Sequence, residues 1–210
     1  MIYVYYSYNE IQLSKEDFSN LLKGVPAGFI DKILRFRRWQ DRQASLMGKL
    51  LLRKALLDHF GSDLLLGEMK LDNYQRPFIP FEGDFNISHT AGMVVCAFSL
   101  YDRIGIDVEK HKQVEIHEFR SVFTDEEWEI LLKEENPQQM FFTLWTKKEA
   151  IMKADGRGFY LNPASFRGIG DQISVDGTLW EMAKLDLDDK FTAHLAAPQV
   201  QKTQLVQQIF

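Results

Sequence analysis

The chain has 210 residues, 45% hydrophobic and 26% charged, which suits one or two packed cores and excludes a disordered chain. A net charge of −5 supplies no domain-wide basic surface, so a general nucleic-acid binder is excluded, and a single cysteine excludes an internal disulfide framework. No apolar run approaches the ~20 residues that span a bilayer, and Met1–Tyr6 lacks the charged start and apolar core of a signal peptide. A cytoplasmic protein without membrane contact is expected.

In chain order, residues 2–8 read as an aromatic-rich strand. Ser14, followed by Lys15-Glu16-Asp17, reads as an N-cap, with its helix ending near Gly24. A helix from about Phe29 to Phe60, closed by Gly61, is expected to carry Lys32, Arg35, Arg37, Arg38 and Arg42. By itself that basic cluster reads as a solvated face. Short strands are expected at 66–71 and 78–81. Phe85–Ser88 and Met93–Leu100 flank Ala91-Gly92 as a hairpin, which puts His89 at a strand end and Cys96 in an apolar run as a buried, inert thiol. Tyr101-Asp102-Arg103 turns the chain, and the boundary between two halves, 1–102 and 103–210, is placed there.

Gly105-Ile106-Asp107-Val108-Glu109-Lys110 alternates as a half-buried strand. Asp107 and Glu109 then share one face, ~6.6 Å apart, while Ile106 and Val108 point into the core. Helices are expected at Val114–Val122 and Asp125–Lys133. The second begins with a capping box of Thr124 and Glu127, and Glu127 reads equally as that cap or as a neighbour of a metal. After Asn136-Pro137, a helix from about Gln138 to Ala154, stopped by Asp155-Gly156, carries Trp145-Thr146-Lys147-Lys148-Glu149-Ala150-Ile151-Met152-Lys153. Glu149 and Lys153 share a face of it. Asp107, Glu109 and Glu149, with Lys148 and Lys153 nearby, suit a hard divalent cation holding a phosphate ester, magnesium above all. Taken singly, the strand carboxylates are a solvated face and Glu149 with Lys153 an ordinary helix pair. Strands follow at 172–175, 178–187 and 190–197, with Asp176-Gly177 as a hairpin turn. Pro198 is expected to end the ordered core, leaving a peripheral tail.

Gly105–Glu109 and Trp145–Lys153 together resemble the G-[I/V]-D-[I/V]-E and W-[S/T]-x-K-E-[A/S]-x-x-K motifs of the 4′-phosphopantetheinyl transferases. Phe85-Asn86-Ile87-Ser88-His89-Thr90 resembles the F-N-[I/L]-S-H-[S/T] motif of the larger, Sfp-type branch. Tyr74-Gln75-Arg76-Pro77 resembles its Y-G-K-P segment, with Gln for Gly and Arg for Lys. Phe123-Thr124-Asp125-Glu126-Glu127 resembles its F-[S/T]-x-x-E segment.

The resemblance implies an α+β fold of two similar α/β subdomains in an intramolecular pseudo-dimer, a monomer with its site in the cleft between them. It implies a magnesium-dependent transfer of 4′-phosphopantetheine from coenzyme A to a serine of an apo acyl or peptidyl carrier protein, releasing 3′,5′-ADP. Asp107, Glu109 and Glu149 are the implied metal ligands; Glu149, Lys153 and Asp107 are the catalytic set, with Glu149 the candidate general base. Lys32, Arg42, Arg76, Pro77, Ser88, His89, Lys148 and Lys153 are the implied coenzyme A contacts, the first half holding the nucleotide. Phe29 and Ala44 stand where Sfp-type enzymes often carry basic residues, which leaves the 3′-phosphate to Lys32 with Arg42 or Arg38. Lys110, Lys112 and exposed apolar residues of 114–123 are the expected carrier contact. A magnesium-dependent phosphodiesterase or pyrophosphatase is the alternative use of the same acidic site.

Overall fold

The computed structural model describes residues 1–200 and 202–210. Strand β1 (Ile2–Asn9) leads to helices α1 (Lys15–Leu22), α2 (Ala27–Leu34) and α3 (Trp39–Phe60). After a two-stranded ribbon, β2 (Lys70–Leu71) with β3 (Pro77–Phe78), come β4 (Asp84–Thr90), β5 (Gly92–Ser99) and β6 (Gly105–Lys110). Helices α4 (Asp125–Lys133) and α5 (Pro137–Asp155) precede β7 (Gln172–Val175), β8 (Thr178–Lys184), β9 (Phe191–Ala197) and β10 (Thr203–Gln207).

Two four-stranded sheets result, ordered β10-β1-β5-β4 and β6-β9-β8-β7. The period-2 alternation of β1 and β5 gives the first sheet two apolar faces. Tyr5, Val94, Cys96 and Phe98 pack on Ala44, Met47, Leu51 and Leu52 of α3. Ile2, Val4, Met93, Val95 and Ala97 pack on Ile106, Val108, Ala193 and Leu195 of the second sheet. Ala196 and Met182 of the second sheet in turn pack on Ala150, Ile151, Met152 and Ala154 of α5. The layers therefore run helix, sheet, sheet, helix: the α+β class expected, in two halves built alike.

Gly105 opens β6 because α5 crosses it closely. A Cβ there would lie 2.0 Å from the Ala150 carbonyl oxygen and 2.4 Å from Ala154 N, so only glycine fits.

The expected caps at Ser14, Thr124 and Gly156 form where their chemistry dictates, and Asn136 adds one that was read only as a break. Ser14 accepts from Asp17 N, Thr124 and Glu127 make the capping box, Asn136 accepts from Gln139 N, and Gly156 ends α5 at φ 97°. Asp176 and Gly177, both at positive φ, make the β7–β8 turn. Four expectations need correction. The strands expected at 66–71 and 78–81 shrink to Lys70–Leu71 and Pro77–Phe78, with Leu64–Glu68 forming a 3-10 turn. The single helix over 29–60 is two, broken at Arg35–Arg38, where three arginines flank Phe36, itself exposed, and no apolar stripe holds the segment on a helix. The stretch 114–122 is a 3-10 turn over Ile116–Val122. The tail after Pro198 is not peripheral, since β10 pairs parallel with β1 at the edge of the first sheet.

The two sheets meet along β4 and β6, which run side by side with side chains standing in for a backbone ladder. Asp84 Oδ2 accepts from Ile104 N at 2.9 Å, Asn86 Oδ1 from Ile106 N at 2.9 Å, and Thr90 Oγ1 from Lys110 N at 3.3 Å. Three alternate residues of β4, Asp84, Asn86 and Thr90, thus satisfy N–H groups along or just before β6, while Ser88 between them donates to Asp107, and this holds the register of the halves.

Candidate active site

The seam between β4 and β6 ends in the acidic cluster. Asp107 is 4% exposed. Its Oδ1 accepts from Ser88 Oγ at 2.8 Å and from Lys153 Nζ at 2.6 Å. Lys153 also donates to Ser88 Oγ at 3.0 Å, so β4, β6 and α5 each supply one member of a triad. Glu109 lies two residues on, where its Oε2 accepts from Thr90 Oγ1 at 3.0 Å. Glu149 sits one helical turn before Lys153, but the Lys153 ammonium turns to Asp107.

Two buried carboxylate oxygens, Asp107 Oδ2 and Glu149 Oε1, have no hydrogen-bond partner. The strain appears in the titration of the cluster. Burial first, then the charges of Asp107 and Glu109, push Glu149 up to about 7 against the pull of Lys153. Burial and Asp107 also raise Glu109. Among the described residues no three His, Cys, Asp or Glu side chains already stand in ligating geometry; Lys153 pairs with Asp107 alone. An all-oxygen donor set with two orphaned buried oxygens and mutually repelling charges nevertheless fits a dication such as Mg2+.

A folded carboxyl that titrates near 7 rather than at 4.5 binds a proton through a window where the unfolded chain does not. Metal-free protein should therefore lose stability as pH rises through that window. Glu149→Gln should give a shallower slope. Thermal unfolding in chelator at pH 5, 6, 7 and 8 checks this, and identical slopes for the two proteins would contradict it.

Beside the cluster, a cavity of about 460 Å³ is lined by Glu10, Arg38, Trp39, Asp41, Ala44, His89, Thr90 and Lys110, among others. Its size suits a nucleotide-scale ligand. The break between α2 and α3 is what brings Arg38 and Trp39 to it. The pKa of His89 is lowered by burial first and then by Lys153, so the ring is neutral and can accept a hydrogen bond at neutral pH.

The structure brings Ser88, His89, Asp107, Glu109, Glu149 and Lys153 together and sets other candidates apart. Arg42 lines a different cavity with Lys15 and Phe18, and its Nη2 donates to the Arg37 carbonyl. Lys32 is exposed on α2, and after burial its charge is the second cause that lowers the pKa of Lys49. Lys148 is no phosphate ligand. Its fully buried ammonium pairs with Glu127 at 2.9 Å and donates to the Pro163 and Phe166 carbonyls at 2.7 Å. Glu127 is likewise taken up, its oxygens accepting from Thr124 N and Gly168 N, so it is a cap and a pair partner rather than a neighbour of the metal. Arg76 is 6% exposed and spends its donors on protein acceptors, and Pro77 lies in the β2–β3 ribbon. Of the cavity's lining, Arg38 was one of the two alternatives to reinforce Lys32, Lys110 was expected at the carrier surface, and Thr90 was given no role. For Thr90 the signal was available, since the alternation of β4 places it on the Asn86–Ser88 side.

An acidic cluster crossed by a lysine thus lies beside a cavity of nucleotide scale, where the two sheet-and-helix halves meet. The family model "4'-phosphopantetheinyl transferase superfamily" matches residues 103–196, and "4'-phosphopantetheinyl transferase, N-terminal" matches residues 10–100. The chain is 30% identical over 167 residues to 4'-phosphopantetheinyl transferase Sfp of Bacillus subtilis (strain 168), covering 78% of this chain and 74% of that protein. It is 34% identical over 164 residues to 4'-phosphopantetheinyl transferase gsp of Aneurinibacillus migulanus, covering 75% of this chain and 66% of that protein. A third relative, 4'-phosphopantetheinyl transferase HetI of Nostoc sp., is 32% identical over 143 residues, covering 61% of this chain and 59% of that protein. The chain belongs to the 4′-phosphopantetheinyl transferase family, in its Sfp-type branch, and is a transferase that moves phosphopantetheine from coenzyme A to a carrier protein. No helix among the described residues is long and apolar enough to cross a membrane.

Proposed function

We propose that the reaction runs at the Ser88–Asp107–Lys153 junction, with residues 1–102 holding the nucleotide of coenzyme A and residues 103–210 supplying the reacting groups. The observation that supports this most is the convergence of three elements on one buried carboxylate, beside a cavity that carries His89. Asp107, Glu109 and Glu149 would hold Mg2+, which when bound neutralises pyrophosphate charge and so lowers the barrier to attack.

The chain's own residues do the rest. Lys153, already placed between Asp107 and Ser88, presents its ammonium to the phosphate oxygens. Ser88 Oγ fixes the orientation of both. His89 and Arg38 line the cavity that would take the nucleotide and its 3′-phosphate, so of the two arginines considered above Arg38 is the one placed for the phosphate. Glu149, one helical turn from Lys153 on α5, is the carboxylate placed to take the proton of the carrier serine.

The acceptor is an apo acyl or peptidyl carrier domain, and the enzyme acts as a monomer in the cytoplasm. For docking, the structure alters the expected surface. Val114, Ile116, Phe119 and Val122 pack inward on Phe123, Phe141 and Phe142. Lys110 is engaged by Glu10 at 3.4 Å and lines the cavity. Lys112 stays exposed just beyond the acidic cluster and is the cation a carrier would meet. Lys112→Glu should raise the KM for carrier; an unchanged KM removes Lys112 from the interface.

Intact-mass measurement tests the reading as a whole. An apo carrier incubated with enzyme, coenzyme A and Mg2+ should gain one phosphopantetheine group, and the gain should vanish with chelator. Consumption of coenzyme A with no gain on any carrier would overturn it.

A further inference from the structure

Arg76 departs from the family pattern, which has lysine in the Y-G-K-P segment, and the structure gives the arginine a different task. All five of its N–H groups have acceptors inside the protein. Nη1 donates to Asp84 Oδ1 at 2.9 Å and to the Pro77 carbonyl at 3.4 Å. Nη2 donates to Asp84 Oδ2 at 2.7 Å, to the Ile104 carbonyl at 2.9 Å and to the Phe85 carbonyl at 3.4 Å. Nε donates to the Lys153 carbonyl at 2.9 Å.

That last bond falls on the final turn of α5, whose carbonyls have no partner within the helix. Arg103 Nε takes the next one, Ala154, at 2.8 Å. Asp84, held in the fork of Arg76, also receives Ile104 N. One guanidinium therefore joins β4, the start of β6 and the end of α5. These three elements carry Ser88, Asp107 and Lys153. Along β4 the clamp and Ser88 are four residues apart, ~13 Å of strand.

We propose that Arg76 is a positioning residue for phosphopantetheine transfer: its clamp on Asp84 and the Lys153 carbonyl fixes the Lys153 ammonium against Asp107 and Ser88, and it does not touch coenzyme A. This rests on the reading that Lys153 serves the phosphates. Lysine cannot replace arginine here, because a single ammonium cannot span a carboxylate fork and two backbone carbonyls lying in different directions.

The test is a steady-state comparison of wild type with Arg76→Lys, using protein shown to be folded by circular dichroism. The expected result is a kcat about tenfold lower or worse, since small displacements of reacting groups are costly, with KM for coenzyme A within about twofold of wild type. A raised KM with kcat kept marks a coenzyme contact and overturns the proposal. Both parameters unchanged mark a purely structural arginine and also overturn it. Absence of transfer by wild type itself would be a failure of the transferase reading, visible before any variant is made. Wild type gives an independent reading if the variant does not fold. The Arg76 Nε–H resonance should exchange slowly and keep its shift on adding 3′,5′-ADP, whereas a shift as large as that of the His89 ring overturns the proposal.

Discussion

Asp107→Ala should leave a folded protein that no longer transfers phosphopantetheine, with kcat lower by at least about 10³-fold, on the scale of losing a preorganised electrostatic contact. The carboxylate is the meeting point of Ser88 and Lys153 and the neighbour whose charge raises both Glu109 and Glu149. Its removal takes the anchor from the lysine and one oxygen donor from the proposed cation site. The fold should survive, because truncation removes a repelling charge from a crowded cluster and the Lys153 side chain, 26% exposed, can turn to water. The assay is carrier modification by intact mass, run beside thermal unfolding. Activity within tenfold of wild type in a folded Asp107→Ala protein would refute the assignment of this carboxylate.

Glu127→Ala should act on stability instead. Both partners of the Glu127–Lys148 pair are 0% exposed, the pair is 2.9 Å apart, and the ammonium lies 4.6 Å from the Phe166 ring centre. Truncating the glutamate strands a buried cation and also orphans Thr124 N and Gly168 N. Breaking a buried pair on one side typically costs about 3–5 kcal/mol, against a total stability of about 5–15 kcal/mol for an ordinary domain. Urea midpoints measure it. The double variant Glu127→Leu, Lys148→Met should recover much of the loss, since apolar groups of similar volume leave no unpaired charge. A cost under about 1 kcal/mol for Glu127→Ala would mean that the pair is solvated after all.

The contrast between these two carboxylates shows what a linear reading can reach. Motif positions that owe their place to local geometry were readable directly. Alternation put Asp107 and Glu109 on one side of β6, with Ile106 and Val108 at 0% exposure on the other. Thr124, Asn136 and Gly156 announced the ends of their helices. Lys148 was misplaced because α5 is enclosed on most sides, with Phe142, Thr146, Lys148, Ile151 and Met152 all buried. A helix without one wet face offers no periodicity to separate an active-site lysine from an interior one. The deciding partners, Glu127 and the carbonyls of Pro163 and Phe166, come from other segments.

Arg76 follows the same logic, since its fork is filled by Asp84, Ile104 and Lys153, up to 77 residues away in sequence. Strand β10 was also out of reach, because a parallel edge partner pairs with β1 from the opposite end of the chain.

What the sequence by itself determined was the family and the elements that carry its motif residues, because cap chemistry, strand alternation and the spacing of G-I-D-V-E and W-T-K-K-E are local properties. Only the tertiary structure decided which charged side chains face the substrate and which face one another. That choice depends on the cost of desolvating each charge, and the partners that offset the cost are brought together by packing across the two halves.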